Sequence, residues 1–243
     1  MNILLTNDDG IEAEGINALY SALIDQHAVF IVAPGRERSG CSNAITVRDS
    51  ISVQKMGERR FAVNGFTADC VNIGLHSDLV PGVDLVVSGI NHGPNLGDDV
   101  FFSGTVAGAR TAFVFGVPGI AISLDCLNTS DYFNDAAQFL RDFITEHHHD
   151  ISRGTAFFNI NYPDLPRAEI RGPLLTRLGR RKYQDTYHVT ASSHNLIDLK
   201  MEGTIESDIT PGTDTREVRN GYISITPLLL DCTDHEYVRI RRG

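Results

Sequence analysis

The chain has 243 residues, 42% hydrophobic and 21% charged, a composition typical of a soluble globular protein rather than a disordered or fibrous one. Its net charge of −10 argues against holding long polyanions, because nucleic-acid binding depends on lysine and arginine neutralising phosphates. No apolar stretch approaches the roughly 18 residues of a membrane span, and the first apolar run is too short for a signal peptide, so we expect a cytoplasmic protein without a nucleic-acid or membrane partner.

Short apolar runs rich in β-branched residues alternate with segments of helical period, which is typical of βα units around a mostly parallel sheet. The predicted strands are 2–6, 28–34, 84–91, 119–124 and 155–163, and the predicted helices are 16–23, 67–79, 104–116 and 130–147. Residues 44–56 and 59–65 are expected to form an antiparallel excursion after the second strand. Thr67 is the expected N-cap of the helix that follows it.

From about residue 165 the pattern changes to short strands with few long helices between them. We therefore expect a single α/β domain over residues 1–243, with a β-rich C-terminal segment over about 165–243. The tail 233–243 is too charged to belong to the core, and its expected role is contact with a neighbouring subunit.

Polar, glycine-containing motifs follow the same end of successive predicted strands. They are TNDDG (6–10), APGRERSGCSNA (33–44) and SGINHGPNLGDD (88–99), and FSGTVAG (102–108) opens the next helix. Ligands of an open parallel sheet bind outside the carboxyl ends of its strands. The four loops are therefore expected to converge on one crevice.

Asp8 and Asp9 stand side by side where the first strand ends. Two adjacent carboxylates raise each other's pKa unless a positive charge intervenes, and a divalent cation supplies one. The alternative is that one acid merely caps the following helix. An EF-hand would need an acid at Leu5, and an Asp-x-Asp phosphatase would need one at Gly10, so both of those patterns are disfavoured.

The loop GRERSGCS (35–42) is close to a P-loop, but Cys41 stands where the lysine belongs, which disfavours ATP hydrolysis by that route. What remains is a flexible loop that either lies in solvent or lines an anion site. In the second case Ser39 or Ser42 could contribute a hydroxyl ligand, and Gly40 and Asn43 are candidate phosphate contacts.

A predicted helix N-terminus carries Ser103, Gly104 and Thr105, where free backbone N–H groups favour a phosphate or where Ser103 only caps the helix. Asn91 offers a neutral oxygen ligand, and His92 is either an acid–base group or incidental. Carboxylate, hydroxyl and amide oxygens suit Mg²⁺, Mn²⁺ or Ca²⁺ better than zinc.

With these motifs identified, the sequence resembles the SurE survival-protein family of nucleotidases. The resemblance spans nearly the whole chain and rests on ILLTNDDGIEAEGI, VAPGRERSGCSNAIT, VNGFTADCVNIGL, DLVVSGINHGPNLGDDVFFSGTVAGA, GIAISL, NINYPDLP and GYISITPL. It implies a Rossmann-like three-layer αβα fold. It also implies a divalent-metal-dependent phosphatase acting on nucleoside 5′- and 3′-monophosphates and on short polyphosphate.

The resemblance further implies particular residues. The metal ligands would be Asp8, Asp9, Ser39 and Asn91, holding one divalent ion per subunit, and the phosphate contacts would include Asn95, Ser103, Gly104 and Thr105. Catalytic roles fall on Asp8, Asp9 and Asn95. Family members form dimers or tetramers by exchanging C-terminal segments. Two departures are Phe66-Thr67 in place of the commoner Thr-Pro, and Phe102 in place of a commoner tyrosine.

The attacking group is left open between a water and Asp8, with water favoured because a carboxylate engaged by a cation is a weakened nucleophile. Two other functions stay open. A regulatory module could bind nucleotide and metal without turnover, and a phosphodiesterase would need a cleft that admits a second ester group. The preferred base, the metal used and the choice between dimer and tetramer are not predicted.

Overall fold

A nine-stranded sheet forms the centre of the protein in a computed structural model, which describes residues 1–126 and 129–242. The strands of the chain are β1 (Asn2–Thr6), β2 (Ala28–Pro34), β3 (Val53–Gly57), β4 (Arg60–Val63), β5 (Leu85–His92), β6 (Gly119–Asp125), β7 (Phe157–Pro163), β8 (Pro173–Leu175), β9 (Arg181–Ser193), β10 (Leu196–Ser207) and β11 (Ile223–Leu228). The sheet order is β3-β4-β2-β1-β5-β6-β7-β11-β8. From β4 to β7 the neighbours are all parallel, whereas β3 and β11 run antiparallel to β4 and β7.

Helices cover both faces of this sheet. They are α1 (Glu14–Leu23), α2 (Thr67–His76), α3 (Gly104–Val114), α4 (Phe133–Glu146), α5 (His148–Ser152), α6 (Asp214–Arg219) and α7 (His235–Arg242), with 3₁₀ turns at Gly97–Phe101 and Arg167–Glu169. Side chains of β1 alternate between two cores, with Ile3 and Leu5 packed among α1 and α4 and Leu4 packed on the α2 side. The Rossmann-like three-layer prediction is therefore confirmed. In the described part of the chain, no helix is both long and apolar enough to cross a membrane.

The predicted strands 2–6 and 28–34 are confirmed to the residue, and the other predicted core strands and helices shift by a few residues at their ends. The excursion is shorter than predicted, because only β3 and β4 pair and residues 44–52 form no strand in the described structure. This segment is held to α2 instead, since the backbone N–H of Thr46 donates to Asp69 at 2.8 Å.

The prediction that Thr67 caps α2 is wrong. Thr67 is already the first helical residue, and its hydroxyl donates to the carbonyl of Asn7 at 2.9 Å. The carboxylate of Asp69 supplies the cap by accepting the backbone N–H of Phe66 at 2.9 Å. The side chain of Thr67 thus ties the start of α2 to the loop after β1.

The β-rich C-terminal extension is confirmed as a separate antiparallel hairpin of β9 and β10, most of whose residues are exposed. The other two strands of this region, β8 and β11, join the edge of the central sheet. The charged tail forms α7, whose described side chains lie outside the core.

Candidate metal and phosphate site

A crevice of about 330 Å³ lies at the carboxyl ends of the parallel strands. Six of the predicted site residues line it, namely Asp8, Ser39, Gly40, Asn91, Asn95 and Ser103. They come from the loops after β1 and β2, from the end of β5 and the loop that follows it, and from the N-cap of α3. The predicted convergence of four loops on one crevice is therefore observed.

Asp8 is almost fully buried, with 3% of its surface exposed. Its Oδ1 accepts a hydrogen bond from the hydroxyl of Thr105, and its backbone carbonyl accepts the N–H of Arg38 at 2.6 Å. A Cβ at Gly104 would lie 2.7 Å from Oδ2 of Asp8, so the carboxylate packs directly against the helix backbone at that position. Asp8 therefore joins the loops after β1 and β2 to the start of α3.

Asp9 is turned toward a second cavity, which is lined in part by Glu37, His92 and Phe133. Its Oδ2 accepts the backbone N–H of His92 at 3.0 Å. The ring of His92 stacks on Phe133 with 6.3 Å between centroids, and His92 lines both cavities. Asp9 thus lies at the boundary between the crevice and its neighbour.

Neither acid caps the following helix, because no side chain makes a capping hydrogen bond at the start of α1. Burial raises the pKa of Asp8 above its ordinary value, even though its hydrogen bonds to the first turn of α3 lower it. Burial and the adjacent charge of Asp8 raise the pKa of Asp9 to about 6. The pair is therefore arranged at an electrostatic cost that a bound cation would offset.

The side-chain oxygen of Asn91 faces the start of α3, beside Asp8. Its Nδ2 donates to the carbonyl of Gly93 at 2.7 Å, which turns Oδ1 toward the hydroxyl of Thr105 at 3.1 Å. Ser39 is exposed on the loop after β2, and its hydroxyl donates to Glu37 at 3.0 Å. The hydroxyl is therefore engaged as a donor and keeps its oxygen lone pairs for a ligand.

The donor chemistry of these four residues fits a hard divalent cation, since two carboxylates, one amide oxygen and one hydroxyl are all oxygen ligands. Within residues 1–126 and 129–242, no group of three or more His, Cys, Asp or Glu side chains is placed to hold a metal ion. A cation at this site would therefore depend on the neutral oxygens of Ser39 and Asn91 as well as on the acid pair.

The loop that carries Ser39 is fastened to the turn before α3 through Ser42. The Oγ of Ser42 donates to the carbonyl of Phe101 at 2.6 Å, and its backbone N–H donates to that of Phe102 at 2.8 Å. Ser42 has a φ of 52°, which is uncommon for a residue with a side chain. These contacts fix the distance between the β2 loop and the start of α3.

Ser103 is the N-cap of α3, and its Oγ accepts the N–H of Val106 at 3.0 Å. The capping role considered from the sequence is thus real. It does not exclude anion binding, because an accepting hydroxyl still carries its own proton for donation. The backbone N–H groups of Gly104 and Thr105 lack partners within the helix and interact with Asp8 instead.

Asn95 is buried and held by three polar residues that the sequence analysis did not select. Its backbone N–H donates to Asn161 at 2.8 Å, its carbonyl accepts from Asn159 at 2.8 Å, and its Nδ2 donates to Ser123 at 2.8 Å. All three partners are fully buried near the ends of β6 and β7. Two asparagines in an otherwise apolar strand were the sequence signal for this role.

Asn43 is placed differently from the other candidates. It is exposed on the loop after β2, and its Oδ1 lies 3.5 Å from the hydroxyl of Thr111, which is in the second half of α3. Gly40 does line the crevice, with a φ of 70° that favours glycine. Of the two phosphate contacts predicted on this loop, the structure brings only Gly40 to the crevice.

A second group missed by the sequence analysis fastens the hairpin to the crevice. Asp99, in the 3₁₀ turn before α3, accepts hydrogen bonds from Arg181 and Tyr183 at the start of β9. Asp214 accepts the backbone N–H groups of Gly97 at 2.9 Å and Gly179 at 2.7 Å. The base of the hairpin is thus part of the crevice wall, and Arg181 and Tyr183 line it.

An open, mostly parallel sheet with helices on both faces defines a Rossmann-like α/β protein, and the crevice lies at the edge where sheets of this kind bind ligands. The model of the family described as Survival protein SurE matches residues 3–185. The chain belongs to the SurE survival-protein family.

Individual relatives agree along nearly the whole chain. The "5'-nucleotidase SurE" of Pseudoalteromonas atlantica is 42% identical over 238 residues, covering 97% of this chain and 95% of the relative. The protein of the same name from Vibrio cholerae is 41% identical over 98% of this chain and 95% of its own length. The crystal structure of the SurE protein from Aquifex aeolicus is similar with a TM-score of 0.86, at 34% identity and full coverage of both chains.

Proposed function

We propose that this protein is a divalent-metal-dependent phosphatase that hydrolyses nucleoside 5′- and 3′-monophosphates, and short polyphosphate, to release phosphate. The observation that carries the proposal is the adjacent pair Asp8–Asp9. Asp8 is buried against the first turn of α3, where the hydroxyl of Thr105 contacts both it and Asn91, and Asp9 accepts the backbone N–H of His92 beside Asn91. The names of the relatives, 5'-nucleotidase SurE, support the nucleotidase part. The 3′ and polyphosphate activities rest on the family resemblance.

Asp8, Asp9, Ser39 and Asn91 would hold one Mg²⁺, Mn²⁺ or other divalent ion per subunit. When bound, such an ion neutralises charge on the phosphoryl oxygens and lowers the pKa of a coordinated water. The protein contributes the rigid geometry, because the hydroxyl of Thr105 donates to Asp8 and packs 3.1 Å from Oδ1 of Asn91, which holds the two side chains close together. Preorganised groups of this kind stabilise a transition state without reorganising during the reaction.

The phosphate would lie in the crevice at the start of α3, beside Asp8. The hydroxyl of Ser103 is a proposed donor to its oxygens. The backbone N–H groups of Gly104 and Thr105 are further proposed donors, and since both interact with Asp8 in this structure, Asp8 would have to turn toward the cation to release them. Gly40 lines the same space, and Asn95 is held rigidly at its edge by Asn161 and Ser123. Asn43 remains a proposed phosphate contact that would require the β2 loop to move.

Water is the proposed nucleophile. The Oδ1 of Asp8 accepts the Thr105 hydroxyl and its Oδ2 packs on Gly104, so neither oxygen is directed at an open approach to phosphorus. Rapid quenching during turnover of ³²P-labelled polyphosphate checks this. No label should remain on the protein, and a phosphoenzyme lost in an Asp8→Asn variant would assign the attack to Asp8 instead.

Assembly as a homodimer or homotetramer through the C-terminal segment, and a cytoplasmic location, belong to the same proposal. The hairpin supports the assembly, because Tyr187, Val189, Leu199 and Met201 form cross-strand pairs on one of its faces and are exposed. Sedimentation velocity on the full chain measures the assembly state directly.

The experiment that tests the function is phosphate release by metal-stripped protein from 5′-AMP, 3′-AMP and tripolyphosphate, with and without added Mg²⁺ or Mn²⁺. We expect release that requires the metal and falls at least about 1,000-fold in Asp9→Asn, because removing one anionic ligand weakens both binding and charge neutralisation. Mn²⁺ titration followed by electron paramagnetic resonance gives an independent readout of the same substitution.

The matched control is Asp25→Asn, which removes an exposed acid just beyond the end of α1 and should keep wild-type rates. Stoichiometric nucleotide binding without turnover, in folded and metal-saturated protein, would favour a regulatory binding module instead. Cleavage of a dinucleotide without release of phosphate from AMP would favour a phosphodiesterase.

A further inference from the structure

A further cavity of about 310 Å³ lies at the outer edge of the central sheet, where β3 is the last strand. Its walls come from β3 and β4 and from the start of the loop after β2. Its polar side chains are Arg36, Ser52, Gln54 and Asn64, and the rest of its lining is apolar or glycine. We call it the edge cavity. It shares no lining residue with the crevice in the described structure, and its volume is in the range of small-molecule sites.

The polar lining of the edge cavity consists of hydrogen-bond donors without an acid. Arg36 is its only charged side chain within the described residues, and it is exposed and takes part in no ion pair there. Asn64 accepts a hydrogen bond from Nη2 of Arg38 through Oδ1, at 3.4 Å, so its Nδ2 remains to donate. The hydroxyl of Ser52 and the amide of Gln54 add two neutral donors. A lining of this kind favours an anion, and the planar guanidinium of Arg36 suits an oxyanion in particular.

The edge cavity belongs to a basic segment of an acidic chain. Residues 36–60 contain six of the 21 lysines and arginines but only three of the 31 acids, whereas the whole chain carries a net charge of −10. A local group of cations attracts anions to its own part of the surface, whatever the sign of the total charge. This segment therefore draws in anions that the rest of the chain repels.

The loop after β2 connects the edge cavity to the crevice. The backbone of Arg36 packs on the loop of the acid pair, because a Cβ at Gly10 would lie 3.3 Å from the carbonyl carbon of Arg36. Ser39 follows Arg36 by three residues, so the two Cα atoms are at most about 11 Å apart. Between them, the backbone N–H of Arg38 donates to the carbonyl of Asp8 at 2.6 Å. The edge cavity and the crevice are thus joined by one short piece of chain that is anchored to the loop after β1.

We infer that the edge cavity is a second oxyanion site, which binds a phosphate group with Arg36 as the charged donor and Asn64 among the neutral ones. Two sources share this chemistry, namely free inorganic phosphate and the distal phosphates of a linear polyphosphate whose end lies in the crevice. Binding of free phosphate is independent of the proposed function, whereas the second source rests on it. One charged donor in an exposed cavity predicts a Kd in the millimolar range.

The binding test follows the side-chain amide resonances of Asn64 and Gln54 by NMR in the ¹⁵N-labelled full chain. Inorganic phosphate is added at constant ionic strength with a chelator present. These resonances report on the edge cavity, because neither residue lines the crevice in the described structure. We expect both resonances to shift and to saturate in the millimolar range. Arg36→Gln should weaken this binding at least about ten-fold, since it removes the charged donor.

Arg48→Gln is the matched control. It removes the same charge from an exposed position of the same basic segment, outside the lining of the edge cavity in the described structure. It should leave the phosphate-dependent shifts of Asn64 and Gln54 unchanged. Equal weakening by the two variants would show a general attraction to the segment, and wild-type resonances that do not saturate would show that the cavity binds no phosphate. Either result would overturn the inference.

Kinetics of the metal-loaded protein identify the source of the phosphate. If the site holds distal phosphates, Arg36→Gln should raise KM for linear polyphosphate about ten-fold and leave hydrolysis of 5′-AMP unchanged. An unchanged KM for both substrates, with binding of inorganic phosphate confirmed, assigns the site to free phosphate. A similar loss with both substrates would mean that Arg36 acts on the crevice itself, and the separate site would be wrong.

Failure of the proposed function gives a different result. In that case the wild type releases phosphate from neither 5′-AMP nor polyphosphate. The NMR titration keeps its meaning, because it measures binding without turnover. Saturable shifts that Arg36→Gln weakens and Arg48→Gln preserves would still establish the oxyanion site.

Discussion

The hydroxyl of Thr105 donates a hydrogen bond to Asp8, although the two residues lie 97 positions apart in the chain. The same hydroxyl lies 3.1 Å from Oδ1 of Asn91, so one side chain on α3 meets candidate ligands from the loop after β1 and from the end of β5. Two of the proposed metal ligands, Asp8 and Asn91, are therefore packed as one unit with the start of α3. A small displacement at the start of α3 should reach both.

Gly104→Ala tests this coupling. The added Cβ would lie 2.7 Å from Oδ2 and 2.9 Å from Cβ of Asp8, which is closer than real contacts allow, so Asp8 or the helix start must shift. We expect phosphatase activity to fall about 100-fold, because a displacement near 1 Å has that effect on positioned groups. The free energy of unfolding should change little, since alanine favours the helix by about 1 kcal/mol and partly offsets the clash.

Gly57→Ala is the control for the substitution itself. Its new Cβ would meet Arg60 Cβ at 3.7 Å, an ordinary contact at the end of β3 and away from the crevice. Activity and unfolding, measured by phosphate release and by urea titration, should match the wild type. Full activity in Gly104→Ala would show that the start of α3 does not position Asp8.

Arg180 and Arg181 form adjacent ion pairs that should contribute very differently to stability. Arg181 binds Asp99 with 14% of its side chain exposed, whereas Arg180 binds Asp98 with 84% exposed. Arg181→Met should lower the free energy of unfolding by about 2–3 kcal/mol, because it leaves a buried carboxylate short of a partner. Arg180→Met should change it by no more than about 0.5 kcal/mol. Urea unfolding of both variants measures the two losses of stability. Equal losses would contradict the difference in burial between the Arg181 and Arg180 ion pairs.

Local patterns explain why much of the fold was predictable. Ile3, Leu4 and Leu5 are buried on both faces of the sheet, so the first strand is a continuous apolar run that sequence periodicity detects. The acid pair was recognisable for a different reason, since two carboxylates directly after such a strand need a positive partner. The convergence of the loops then followed from the parallel order of the strands.

What was missed depends on contacts between distant residues. The cap of α2 was assigned to Thr67, but Asp69 supplies it while Thr67 bonds back to the loop after β1. Likewise Asp99 and Arg181 are 82 residues apart, and no local pattern says that the hairpin base returns to the turn before α3. Side-chain networks of this kind are fixed by tertiary packing rather than by propensity.

Asn161 is the clearest positioning residue that the sequence analysis did not select, and Asn161→Leu tests it. The substitution leaves the backbone N–H of Asn95 without its acceptor in a fully buried place. We expect a loss of about 1–3 kcal/mol in unfolding free energy and a lower kcat. Mn²⁺ affinity should be retained, because the proposed ligands lie on other loops. Asn220→Leu, at an exposed position after α6, is the control and should affect neither quantity.

Asp125, at the end of β6, should give the protein a measurable pH dependence. Burial is the main cause that raises its pKa to about 6, Arg181 opposes the rise and Asp164 adds to it. Because the folded protein binds this proton more tightly than the unfolded chain, the associated stability is fully present below about pH 4 and is lost as the pH rises through 6. Between pH 4.5 and 7 this loss amounts to about 1–2 kcal/mol after allowance for partial exposure.

Asp125→Asn cannot ionise, so the variant should gain stability relative to the wild type by that amount across the same range. Urea unfolding at four pH values in the presence of a chelator measures the difference, and the titrations of Asp8 and Asp9 cancel because both proteins contain them. Parallel stability curves for the two proteins would show that Asp125 ionises normally in the folded state.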